Sequence, residues 1–188
     1  MNRRQTLRFP NTPLPRIWLM TDPRFGDDLL PAIRRLPFRS GVIFRHYEMA
    51  ADARRMLFQQ VRRICRQHGH IILLAGDERT ARSWHADGCH IRGHQRQSEK
   101  SIRSAAVHNR TELAQSRRID VDIVLISPMF ATASHPGARP LGRMKFMALA
   151  KLAHNTAVIA LGGMAARKAA TLDKRIVHGW AAIDAFRR

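Results

Sequence analysis

The sequence predicts an α/β protein built as one (β/α)8 barrel, the TIM-barrel architecture, with its last helix truncated. Three observations carry that prediction. Short apolar runs rich in β-branched residues recur eight times and alternate with helix-forming segments. None of the eight is joined to the next by a two-residue hairpin turn, so successive strands run parallel. Each run stops abruptly at polar or glycine residues, as strands buried on both faces do, and closure of eight such strands into a barrel is the economical outcome.

Taken in order, residues 1–15 hold three prolines and three arginines without periodicity and form a basic, proline-rich arm; residues 16–188 form the single barrel domain. Strand 1 is predicted at 17–21, ending at Asp22-Pro23, with a helix over 29–36 that has Pro31 near its start. Strand 2 covers 41–44 and ends at Arg45. An amphipathic helix follows over 52–67, with Ala53, Met56, Leu57, Gln60, Ile64 and Cys65 at helical spacing and Gly69 as its stop. Strand 3 (71–75) ends at Gly76-Asp77, a short helix covers 78–85, and strand 4 covers 88–91. The next segment, RGHQRQSEK, is polar throughout. Strand 5 (104–107) ends at His108-Asn109 and a helix runs over 111–118. Strand 6 (123–126) precedes a loop of about sixteen residues, far longer than the usual connection of about 2–6. A helix over 144–154, strand 7 (157–161), Gly162-Gly163, a helix over 164–172 and strand 8 (179–183) complete the chain. A missing eighth helix would leave an apolar flank, which the arm or a second subunit in a homodimer would cover.

Composition narrows the function classes. Apolar residues make up 45% of the chain, and no apolar run nears the ~18 residues needed to span a membrane. The N-terminus lacks the apolar centre of a secretory signal, which predicts a cytoplasmic protein. Two cysteines, Cys65 and Cys89, are too few for a disulfide framework. Lys and Arg total 33 against 14 Asp and Glu, a formal charge of +19. That charge permits a basic RNA-associating protein. The arginines are scattered through the helices, however, without a basic run or interleaved aromatics, so a solvated basic surface is favoured over nucleic-acid binding. His85, Cys89, His90 and His94 do not form a zinc site: Cys89 and His90 point to opposite faces of one strand.

In barrels of this kind chemistry sits just past the C-terminal ends of the strands. Those positions here are Asp22, Arg45, Asp77, the segment 92–95, His108, Ser127 with its long loop, Gly162-Gly163 and Asp184. They offer a fixed cation, carboxylates, histidines and a turn whose N–H groups suit an anion. The stretch ISPMFATASHPGARPLG, followed by VIALGGM, resembles the thiamine phosphate synthase family, which also contains the TenI-type thiazole tautomerases. The similarity extends more weakly over residues 16–186.

The resemblance implies a thiamine-pathway enzyme acting on small phosphorylated thiazole and pyrimidine substrates. Arg45 matches the arginine that synthases use on the pyrimidine diphosphate, and Tyr47 stands where a lysine is usual. Thr132 and Ser134 match the family's hydroxyl positions in the strand-6 loop, with His135 replacing a lysine beside them, and Ser127, Gly162 and Gly163 at the strand ends are further candidates for substrate or phosphate contact. The Mg²⁺ site of the synthases, an Asn-Asp pair after strand 3 and an aspartate after strand 4, is depleted: Gly76-Asp77 keeps one acid, and Gln95 stands at the other position. Asp184 replaces a serine that contacts the thiazole phosphate, and its charge opposes phosphate unless Arg187 or Arg188 pairs with it. His108 matches the histidine that shuttles the proton in the tautomerases, work suited to a group that both takes and returns it. These residues lean toward tautomerase-like proton transfer. The alternatives are full synthase activity, with pyrophosphate release, and a degenerate barrel that binds ligand without turnover.

Overall fold

The computed structural model describes residues 13–91, 101–134, 137 and 139–187. Eight parallel strands close in sequence order, and the last is hydrogen-bonded back to the first. They are β1 (Ile17–Met20), β2 (Gly41–Phe44), β3 (Ile71–Ala75), β4 (Gly88–Ile91), β5 (Ile102–Val107), β6 (Ile123–Ile126), β7 (Ala157–Ala160) and β8 (Gly179–Ala182). Ile17 lies opposite Trp180, Leu19 opposite Val42, and Leu125 opposite Ile159. Strands β2, β3, β6 and β7 are buried at every position, because one face fills the barrel and the other meets the helices.

The helices are α1 (Leu29–Arg34), α2 (Ala51–Gln67), α3 (Glu78–Ser83), α4 (Arg110–Arg118), α5 (Gly142–Leu152) and α6 (Ala166–Ala169). Helix α2 buries Phe58, Val61, Ile64 and Cys65. The predicted inner face was therefore rotated: Met56 is 65% exposed, while Phe58 packs edge-on to Phe44 with ring centroids 5.4 Å apart. The ring of Trp84, after α3, lies 5.4 Å from Phe58 on its other side. Burying side chains of this size contributes about 1.5–3 kcal/mol each, so this aromatic seam fastens α2 and α3 to the barrel wall.

Several element ends shift by one or two residues, and two departures have a clear structural cause. Strand β5 begins two residues early because Ile102 and Arg103 pair with Gly88 and Cys89. The charge of Arg103 disguised a strand position, yet this residue is only 4% exposed, and its guanidinium donates to the Ile119 carbonyl at 3.1 Å. Helix α6 has four residues in place of the nine predicted. The Thr171 hydroxyl donates to the Lys168 carbonyl at 2.8 Å and occupies it where a further turn would begin.

After β8 the described residues form a 3-10 turn, Asp184–Phe186, and the Phe186 ring stacks on Trp180 at 5.3 Å. The end of the N-terminal arm reaches the core. Leu14 is 6% exposed, its carbonyl lies 3.0 Å from His178 Nε2, and the Pro15 carbonyl accepts from Trp18 Nε1 at 2.8 Å. Among the described residues no helix is long and apolar enough to cross a membrane.

Candidate active site

Eight of the residues expected at the site line one cleft of about 170 Å³ at the C-terminal mouth of the barrel: Arg45, His108, Ser127, Thr132, Ser134, Gly162, Gly163 and Asp184. Parallel strands put all their C-terminal ends on one side, so residues distant in sequence converge. His135 lies outside the described residues. A second cavity shares Arg45, His108 and Ser127 with the first and adds Tyr47, His90 and Glu112.

Arg45 is held on two sides. Its Nε donates to the Thr21 carbonyl at 2.8 Å, and one terminal nitrogen donates to Asp22 Oδ2 at 2.9 Å. Its backbone N–H donates to the Thr21 hydroxyl at 2.9 Å, and that hydroxyl lies 2.9 Å from His46 Nδ1. Burial, and then the neighbouring Arg45, pushes the His46 imidazole below its ordinary value. A neutral His46 can accept the Thr21 proton at Nδ1, which directs the threonine oxygen toward the Arg45 N–H.

Asp22 joins the two arginines of the mouth. It accepts from Arg24 Nε at 2.8 Å as well as from Arg45. Burial raises its carboxyl, but the hydrogen bonds and charges of Arg24, with the charge of Arg45, outweigh burial and hold it below the ordinary carboxylate value. Arg24 also donates to Asp184 Oδ1 at 3.0 Å and to the Ser134 hydroxyl at 2.7 Å. Asp184 is therefore paired, by Arg187 at 3.2 Å as the sequence suggested and by Arg24, which sequence reasoning missed. The spacing of Arg24 only two residues past the strand-end Asp22 was the available signal.

His108 lies 2.8 Å through Nδ1 from Glu112 Oε2, and its backbone N–H donates to the same oxygen at 2.7 Å. Burial raises the Glu112 carboxyl, but hydrogen bonds from His108 and Asn109 outweigh that and keep it lowered. An ionised Glu112 only accepts, so the imidazole carries its proton on Nδ1 and presents Nε2 as the basic nitrogen. Glu112 also receives Asn109 Nδ2 at 2.8 Å, while its own N–H donates to Asn109 Oδ1 at 2.9 Å. This reciprocal cap of α4 fixes the carboxylate, and its place four residues after His108 was legible in the sequence.

Gly162 and Gly163 have φ of +91° and +59°, and a Cβ on Gly162 would approach Pro128 Cα to 2.7 Å. The turn after β7 is thus pressed against the loop after β6, where Phe130 N–H donates to the Gly162 carbonyl at 3.1 Å. This turn of two glycines brings bare backbone to the cleft, and backbone N–H groups of such turns can hold an anion. The helix dipole adds little here, since α6 starts three residues later and has four residues.

Asp77 is an N-cap. Its two oxygens accept from the Thr80 N–H and hydroxyl, each at 2.8 Å, and the bond to the Thr80 N–H leads the effects that lower its carboxyl. The described residues contain no group of three His, Cys, Asp or Glu placed to hold a metal ion. Both Asp77 oxygens are thus engaged by Thr80, and Gln95, the other position considered for Mg²⁺, lies outside the described residues. Cys89 is buried, and burial pushes its thiol up to about 12, so it supplies no thiolate near neutral pH.

The fold and the mouth together define a (β/α)8 enzyme-type barrel whose cleft is lined by an arginine, a carboxylate and several hydroxyls. The family model for thiamine monophosphate synthase (TMP-TENI) matches residues 24–186, and the chain belongs to this family of thiamine-pathway enzymes. It is 25% identical over 184 residues to a putative thiamine-phosphate synthase 2 of Aquifex aeolicus, covering 92% of this chain and 98% of that one. Among solved structures it resembles a thiamine phosphate pyrophosphorylase from Pyrococcus furiosus, with TM-score 0.76 and 18% identity, over 91% of this chain and 86% of that one. A 2-keto-3-deoxy-6-phospho-gluconate aldolase from Zymomonas mobilis also shares the fold, with TM-score 0.61 and 10% identity over 96% and 85% of the two chains. Barrels with different chemistry overlay on this one, so fold likeness by itself does not choose a reaction.

Proposed function

We propose that the protein is a thiamine phosphate synthase. It joins the pyrimidine of a pyrimidine diphosphate to a thiazole phosphate and releases pyrophosphate. Family membership and the synthase named among its relatives support this reading over the tautomerase-like one toward which the sequence leaned. One observation carries it: Arg45, the Thr132 and Ser134 hydroxyls and the Gly162-Gly163 turn surround one cleft.

The thiazole phosphate places its anion toward the Gly162-Gly163 turn and the hydroxyls of the β6 loop. Its ring nitrogen then attacks the methylene carbon that carries the diphosphate. The new C–N bond forms as the C–O bond breaks, and the electron pair leaves on the diphosphate oxygen. Charge builds on that oxygen, and Arg45, fixed by Thr21 and Asp22, is preorganised to meet it. Two hydrogen bonds hold the guanidinium before substrate arrives, so little reorganisation accompanies the step.

The His108–Glu112 pair favours a second reading, tautomerisation of a thiazole phosphate. A base that takes a proton from one position of the ring system and returns it at another completes that reaction without a co-reactant. One experiment separates the two. Purified protein given both substrates is expected to release pyrophosphate and form thiamine phosphate, with Arg45→Gln abolishing release and His108→Ala changing it little. Conversion of the thiazole tautomer without pyrophosphate release, reduced about 10²-fold or more by His108→Ala, would select the second reading. Neither activity would refute both.

A further inference from the structure

We infer that Arg24 is a phosphate-binding residue whose carboxylate partner Asp184 is exchanged for the ligand's anion. This rests on the reading that the cleft takes a phosphorylated ligand, and it assigns a role to a side chain that sequence reasoning did not place at the site.

Arg24 sits where three walls of the mouth meet. Its Nε and terminal nitrogens reach Asp22 at the end of β1, Asp184 at the end of β8 and Ser134 in the β6 loop. Ser134 and Asp184 both line the cleft, and Asp22 in turn holds Arg45, which also lines it. An anion between the Gly162-Gly163 turn and Ser134 therefore comes within reach of Arg24, and it meets Asp184 as a competitor for the same guanidinium.

The two ion pairs of Arg24 differ in strength. The one with Asp22 is supported by a backbone hydrogen bond from Arg24 N to Oδ1 at 3.1 Å, and the Asp22 side chain is 15% exposed. Asp184 is 43% exposed, takes a single hydrogen bond from Arg24, and has Arg187 as a second partner at 3.2 Å. A pair that open to water contributes little, whereas a phosphate offers several oxygens to the planar fork of an arginine. Asp184 can therefore leave with Arg187 while Arg24 stays oriented by Asp22. The carboxylate keeps Arg24 neutralised when the cleft is open and lowers affinity for any anion by the strength of the contact it yields.

The test is a titration of the full-length protein with inorganic phosphate and with pyrophosphate, followed by calorimetry. The expected result is tighter phosphate binding in Asp184→Asn, by about fivefold at most for a pair of this exposure. Arg24→Gln is expected to weaken binding by about tenfold. In the double variant the gain from Asp184→Asn should shrink, because there is no guanidinium left to release. Arg24→Lys keeps the charge but loses the fork, and is expected to fall between the parent and Arg24→Gln. Additive effects of the two substitutions, or an Arg24→Gln protein that binds phosphate like the parent while melting at the same temperature, would overturn the exchange. Failure of the synthase reading shows separately: absent pyrophosphate release with these titration results intact strikes that reading alone.

Discussion

Arg54 carries a prediction that tests how the mouth is held together. From α2 its Nε donates to the Arg45 carbonyl at 2.9 Å and a terminal nitrogen donates to the Ala75 carbonyl at 2.7 Å. The guanidinium also lies over the rings of Phe44, Tyr47 and Trp84, at 5.8, 5.7 and 5.5 Å from their centroids. One side chain thus ties the ends of β2 and β3 together through the backbone of Arg45. Hydrogen bonds to a charged group contribute about 1.5–3 kcal/mol each, and partial exposure here favours the lower end. Cation–π contacts at half-exposed sites add roughly 0.5 kcal/mol each. Arg54→Ala is therefore expected to cost about 4–5 kcal/mol, which at roughly 2–4 °C per kcal/mol lowers Tm by about 8–20 °C. Arg54→Lys retains the charge but reaches one carbonyl at a time, and should recover less than half of the loss. Thermal unfolding followed by circular dichroism reads both, and phosphate titration of the folded Arg54→Ala protein reads the effect on Arg45. An alanine variant within about 1 kcal/mol of the parent, or a lysine variant equal to it, would refute the reasoning.

Two further outcomes are expected. Gly163→Ala places a Cβ against the Ala131 carbonyl at φ +59°, and the left-handed strain with overpacking should cost roughly 2–4 kcal/mol in urea unfolding; a loss below about 1 kcal/mol would contradict the close approach of the two loops. His46, His70 and His178 all have imidazoles pushed below the ordinary value of 6.5, with burial as the first cause. The unfolded chain protonates before the folded one, so their stability is fully present above pH 6.5 and is lost as pH falls through the folded values. Tm measured at descending pH should drop below neutrality, and a Tm flat from pH 7.5 to 5 would show that these rings are not buried neutral.

The barrel itself was legible because its signal is repeated. Eight apolar runs bounded by polar residues leave few ways to bury that much β-branched surface, and every strand overlaps its predicted run. What was lost lies at positions where tertiary contacts override local character. Arg103 is a charged residue in a strand, tolerated because its guanidinium reaches the Ile119 carbonyl and its N–H reaches Asp122 Oδ2 at 2.9 Å. The inner face of α2 was misread because Met56 and Phe58 are both apolar, and composition does not rank them. The aromatic seam decides it: Phe58 fits between Phe44 and Trp84, two rings supplied by other parts of the chain.

The site divides along a similar line. Residues at strand ends were found, since a parallel barrel needs only the strand boundaries to place them on one rim. Their partners were missed. Glu112, Thr21 and Arg24 act by satisfying another side chain; Glu112 does so within a local i,i+4 spacing, whereas the bonds of Thr21 to Arg45 and of Arg24 to Asp184 depend on which strands become neighbours. Arg24 and Asp184 are 160 residues apart, yet barrel closure puts β1 beside β8. Two carboxylates, Asp22 and Asp184, then stand at adjacent strand ends, and like charges brought so close require a cation between them. Arg24, two residues from one of them, is the nearest arginine in sequence. Closure and strand-end charge together were enough to deduce that bridge, provided the rim was read as a ring of neighbours and not as a row of separate loop ends.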